Sequence, residues 1–138
     1  MNGLSSATQY DVSIKAVCSL NDTSDALTGS FTTLGSCGNY TLNLSDSWGD
    51  GWNGSAYVIT DASGTEVASG GLTTGSFGVD EVCLPGDGTY SVYVGTAPAA
   101  VGSWQSEVSW TLTSAESGFL IASGGAPHTP SVGNGTFD

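Results

Sequence analysis

Positive charge is almost missing from this chain. Its 138 residues hold one lysine, Lys15, no arginine and one histidine, His128, against thirteen acids, for a formal charge of −12. Binding to nucleic acid or to an anionic membrane through a basic patch is thereby excluded, because such binding is driven by Lys and Arg neutralising phosphates. No run approaches the ~20 consecutive apolar residues that a membrane-spanning helix needs. Cysteine is scarce as well, at three, and no CxxC-type pairing is present, which argues against zinc. A catalytic pair is also missing: neither Lys15 nor His128 has a nucleophile or acid set beside it by motif, and His128, in a proline-flanked tail, reads as a solvated linker residue. With thirteen acids a chance glycosidase-like carboxylate pair is easy to find, so it carries little weight, and a non-enzyme is expected. Met1-Asn2-Gly3 has no basic segment or apolar h-region and does not read as a signal peptide; for a secreted protein the chain is then expected to be an excised piece or a mature fragment.

What is present is glycine, at 21 residues, with abundant Ser and Thr and short alternating segments. Tyr40, Leu42 and Leu44 alternate with polar neighbours, the period-2 signature of a half-buried strand. The segments 56–60, 77–84, 90–95, 108–113 and 119–123 read the same way, separated by turn-forming runs at 61–64, 85–88 and 115–118. Strands at this spacing with no amphipathic helix between them predict an all-β fold, an antiparallel two-sheet sandwich with a jelly-roll-like character. The Gly/Pro/Ser/Thr-rich stretch 126–138 reads as a linker or extended arm.

The chemistry concentrates in Asp46-Ser47-Trp48-Gly49-Asp50-Gly51-Trp52-Asn53-Gly54. Acids spaced by glycines suit a hard cation, because calcium takes six to eight oxygen ligands and the backbone must turn sharply around it. Asp46, Asp50 and Gly51 match three EF-hand loop positions, but Trp48 replaces the third ligand and Tyr57 stands where the bidentate Glu belongs, so an ordinary EF-hand is excluded. A calcium loop of Asp46, Asp50 and Asn53 completed by a distant carboxylate stands against a Gly/Asp/Asn-rich turn with packing tryptophans. Trp48 and Trp52, with Trp104 and one of Tyr57 or Tyr93, form an aromatic platform for sugar rings on one reading, and seal the loop on the other.

The run Tyr40–Ser45 followed by DSWGDGWNG, and the later Gly102-Ser103-Trp104 followed by Glu107-Val108-Ser109-Trp110, resemble the two hallmarks of DGWNG-type β-sandwich repeats of secreted and cell-surface proteins, over about 37–125. The resemblance implies an extracellular, non-catalytic module and places Glu107 as the distant ligand supplementing Asp46, Asp50 and Asn53. By strand alternation, Glu107 is instead a surface residue opposite Ser106, Val108 and Trp110. The start, 1–34, resembles the last hairpin of a fibronectin type III domain, with Tyr10 in the tyrosine-corner place and a final strand ending in Ser30-Phe31-Thr32-Thr33. A lone hairpin is marginal in water, so its cover is expected from neighbouring domains of a longer chain or from copies of itself adding head to tail into a filament.

Cys37 and Cys83 flank strands of the same sandwich and are the expected disulfide, whereas Cys18 and Cys37 fall at opposite ends of the N-terminal hairpin, beyond bridging distance. Cys18 is then free or bonded to a part of the fibronectin-like domain outside the sequence. An oxidising, extracellular compartment follows mainly from the resemblance. Asn21, Asn39, Asn43, Asn53 and Asn134 all begin N-x-S/T sequons, and a glycan on Asn53 competes with calcium there. The combined expectation is a secreted, calcium-stabilised adhesion or surface-fibre module; the alternative is a calcium-assisted carbohydrate-binding module of a secreted hydrolase, with surface glycans as partners.

Overall fold

The computed structural model describes residues 9–19, 22–32, 37–85, 88–132 and 135–137, in two compact units, Met1–Ser36 and Cys37–Asp138. In the first unit β1 (Gln9–Ile14) pairs antiparallel with β4 (Leu27–Thr32), Tyr10 opposite Phe31 and Ile14 opposite Leu27, while β2 (Val17–Ser19) pairs with β3 (Asp22–Thr23) nearer the turn. These strands pair as an antiparallel ribbon, and its apolar Val12, Ile14 and Leu27 are exposed. The Cys18 side chain lies outside the description.

The second unit is the expected sandwich. β5 (Cys37–Asp46) runs between β8 (Phe77–Pro85) and β10 (Val108–Ser114), and β11 (Leu120–Gly125) closes that sheet beside β10. The facing sheet is built on β6 (Tyr57–Thr60), between β7 (Glu66–Gly70) and β9 (Tyr90–Val94). Alternation sends Leu42 and Leu44 of β5 and Val108, Trp110 and Leu112 of β10 inward, where they meet Tyr57, Ile59, Tyr90, Val92 and Val94 in one core. Each such burial is worth roughly 1.5–3 kcal/mol. The same alternation carries Asp46, the next inward position after Leu44, into the interior at 4% exposure. The opposite side of β5 is polar: the Asn43 amide donates to the Thr111 hydroxyl at 3.2 Å.

The strand β7 went unread in the sequence, and the turn before it explains why it pairs. The Asp61 carboxylate accepts the backbone N–H groups of Ser63 and Thr65, each at 2.9 Å, together with the Ser63 hydroxyl. These bonds hold the Asp61 carboxyl below its usual range and set a tight reversal that returns Glu66–Gly70, with Val67 and Ala68 packed against the core, alongside β6.

The stretch 126–138 is an arm laid onto the sandwich and not a free linker. His128 exchanges both backbone hydrogen bonds with Val94, at 2.7 and 3.1 Å. Beyond it, β12 (Ser131–Val132) pairs with β13 (Gly135–Phe137), which adds to β9. The Phe137 ring lies 5.3 Å from that of Tyr40 and 5.8 Å from that of Tyr90, so it bridges the two sheets. Residues 133, 134 and 138 lie outside the described residues.

His128 is accordingly not the solvated residue expected. Its ring stands edge-on to Trp110 at 4.9 Å, between Gly124 and Gly135, and its Nε2 is buried without a hydrogen-bond partner. Desolvation pushes its pKa down. A lowered imidazole pKa means that the unfolded chain binds the proton more readily than the fold. This component of stability is complete above the unfolded value of about 6.5 and is lost as the pH falls from there towards the folded value. Urea midpoints at about pH 7.5 and about pH 5.5 are expected to fall further in the parent protein than in His128→Asn, which cannot titrate; identical falls would remove His128 as the cause.

Candidate metal centre

The loop after β5 is held from three directions. The Trp52 N–H donates to the Leu72 carbonyl at 2.7 Å, and its indole Nε1–H donates to the Ser45 carbonyl at 2.9 Å. Ser103 N–H donates to the Asn53 carbonyl at 3.1 Å, joining the loop to the Gly102-Ser103-Trp104 segment. Close approach demands glycine at two points. Gly51 has φ +94°, and a Cβ there would lie 2.7 Å from the Thr73 backbone; one on Gly102 would lie 2.1 Å from the Ser55 nitrogen. The two hallmark motifs of the sequence are thus packed backbone to backbone.

This packing brings Asp46, Asp50 and Glu107 together, each with a carboxylate oxygen within 4.8 Å of the others. Asp46 is the deepest. Its Oδ2 accepts the backbone N–H groups of Gly49 and of Asp50, the latter at 3.0 Å, whereas its Oδ1 is buried with no hydrogen-bond partner. Glu107 does not lie in a strand, so the alternation that made it a surface residue does not reach it. It ends a short 3-10 turn, Gln105–Glu107, and its carbonyl accepts the Ser47 N–H at 3.0 Å. Desolvation first, and then the charges of Asp46 and Asp50, push the Glu107 carboxyl up. The segment 37–138 contains no Lys or Arg to relieve that repulsion.

Asn53 stands one step out. Its amide Nδ2 donates to Asp50 Oδ1 at 3.1 Å, so it contacts the cluster through one of its carboxylates. A glycan on Asn53 or on Asn43 would attach at the amide nitrogen that makes, respectively, this bond and the one to Thr111. Asn39 is exposed on β5; Asn21 and Asn134 lie outside the described residues.

The tryptophans divide. Trp52, offered as part of a sugar platform, is 0% exposed and belongs to the core, so that role is corrected: an indole with no accessible face cannot stack on a ligand. Trp48 and Trp104 are 78% and 68% exposed and line one open cleft of about 420 Å³ with Asp50 and Glu107. Tyr57 is buried as well, with its hydroxyl donating to Asp80 Oδ2 at 2.9 Å across the two sheets; burial first, and then the Asp80 hydrogen bond and charge, push its pKa up. The loop motif pointed to Asp46 and Asp50, and the resemblance to Glu107, but nothing in the sequence marked Asp46 as the buried one.

The expected disulfide is present: Cys37 and Cys83 are bonded, with their Cα atoms 5.3 Å apart. Among the described residues no helix is long and apolar enough to cross a membrane. Compared with known proteins, the chain matches no protein-family model, no curated protein and no solved structure.

Proposed function

We propose that residues 37–138 form a calcium-stabilised, non-enzymatic β-sandwich module of an extracellular adhesion or surface-fibre protein. One observation carries the reading: the buried, unpaired Asp46 Oδ1 in a cluster of three carboxylates. An ionised oxygen buried without a partner is costly, and in a segment free of Lys and Arg a bound cation would supply the partner that no side-chain ammonium or guanidinium can. An all-oxygen donor set of aspartate and glutamate selects a hard ion, and partial exposure of the site leaves room for the high coordination number of calcium. Asp46, Asp50 and Glu107 would hold it, tying the loop after β5 to the turn before β10. Glycosidase chemistry fits less well, since it places two carboxylates on either side of a bond about 5 Å or more apart, and here a third shares the same point.

The Cys37–Cys83 bond supports an oxidising compartment. The exposed cross-strand pair Ile14 and Leu27 of the first unit supports a place among further domains or copies, because a two-stranded ribbon with apolar residues in water is marginal.

Calcium at a hundredfold excess over its Kd is expected to stabilise the fold by about 2.7 kcal/mol, roughly 10 °C or more in melting temperature for a domain of this size. Asp46→Asn removes the buried charge and is expected to abolish the gain. Calorimetric scans with calcium, magnesium and chelator check this; superimposable scans of the parent protein under all three conditions would overturn it.

A further inference from the structure

We infer that the cation site is ligand-receptive: its open side, between Trp48 and Trp104, binds a neutral polysaccharide whose vicinal hydroxyls complete the metal's coordination while a pyranose ring lies against the indoles. The inference rests on the metal reading above and adds to it a ligand class.

Three observations converge. The first is coordination. Asp46, Asp50 and Glu107 supply three carboxylates, whereas calcium takes six to eight oxygens. Asp46 closes the inner side of the site from the protein interior, and the cleft opens over Asp50 and Glu107, so the unfilled positions face outward. A vicinal diol offers two neutral oxygens at adjacent positions and replaces two waters without adding charge.

The second is the exposure of the indoles. An aromatic side chain normally contributes by burying 150–250 Å². Trp48 and Trp104 forgo that, and they do so on the same cleft. Single exposed apolar residues are ordinary, whereas two large ones beside a polar centre make an amphipathic surface that matches a sugar ring, with its apolar C–H face and hydroxyl edge.

The third is strain. Trp104 has φ 55° and ψ 37°, the left-handed region, which a bulky residue occupies only under strain. Its neighbour Gly102 makes the close approach, so the chain could turn here without an indole. A strained residue that buries little of its surface is retained for something other than stability.

Charge selects among glycans. Three carboxylates with one divalent cation leave about one negative charge in the cleft, and no Lys or Arg between 37 and 138 stands ready for a sulfate or uronate. A neutral chain with vicinal hydroxyls therefore fits better than an acidic one.

Affinity electrophoresis and calorimetry with mannan, galactomannan and the polyuronate alginate, each with calcium and with chelator, test the inference. The expected result is calcium-dependent retention by a neutral polymer and not by alginate, competed by methyl mannoside or methyl galactoside. Trp48→Ala and Trp104→Gly are expected to weaken it about tenfold or more while keeping the calcium-induced rise in melting temperature. Trp104→Gly should also melt no lower than the parent protein, because it relieves the left-handed strain. A calcium-induced stabilisation with no retention by either neutral polymer overturns the ligand inference and leaves the metal site standing. Retention unaffected by chelator, or by alginate alone, overturns it as well. Loss of the calcium effect itself overturns both readings.

Discussion

Trp52→Ala is expected to cost about 3–5 kcal/mol, enough to unfold a large share of the molecules of a marginally stable domain, whereas Trp48→Ala, four residues earlier in the same motif, is expected to change stability by less than about 0.5 kcal/mol. Trp52 is fully buried against the sandwich core and anchors the loop twice, through its backbone N–H to Leu72 and its indole N–H to Ser45. Truncation leaves a cavity the size of an indole and strips the Ser45 carbonyl of a donor. Trp48, by contrast, is mostly in water. Because the loop that Trp52 seats also carries Asp50, the alanine variant is expected to lose the calcium response with its stability. Urea denaturation of the two variants measures the difference; equal costs would show that the loop is not seated through Trp52.

Cys83→Ser should remove about 4 kcal/mol in the chain-entropy account, because the bond to Cys37 closes a loop with a sequence separation of 46. The bridge joins neighbouring strands: in the β5–β8 ladder Asn39 stands opposite Cys83 and Cys37 opposite Pro85, so it crosses the ladder diagonally near the start of β5. That start lies at the far end of β5 from Asp46, so the carboxylate cluster lies away from the bridge. The variant should therefore lose stability and retain a calcium-induced increment of the parent's size, as additivity predicts for distant sites. Denaturant midpoints of the parent with and without reductant, beside the Ser variant, check both statements. A loss below about 1 kcal/mol would mean that the unfolded chain is already constrained without the bond.

Much of the architecture was legible because strand alternation is a local property. Leu42 and Leu44, and likewise Trp110 and Leu112, announce a buried face by position alone, and the Asp61–Gly64 turn announces itself by its residue types. β7 was not legible, since Glu66–Gly70 has no apolar alternation and is a strand only because the Asp61 turn returns it to β6. The arm 126–138 reads from composition as glycine- and proline-rich, which says nothing of the places that Val94, Tyr40 and Tyr90 offer to His128 and Phe137.

The candidate site divides along the same line. Sequence alone determined that the chain is a β protein, that carboxylates and glycines crowd into Asp46–Gly54, and that the segment carrying them has no cationic side chain to balance them. Which of two tryptophans in that loop is core and which faces water, that Asp46 lies at the bottom of the cluster with one oxygen unpaired, and that Glu107 arrives beside it were decided only by tertiary structure. The reason is distance along the chain: a two-residue period tells each side chain which face it occupies, but a glycine-rich loop has no period. Its conformation is set by Leu72 and the Gly102–Ser103 backbone, which come from other parts of the chain and meet it only when the two sheets close on their common core.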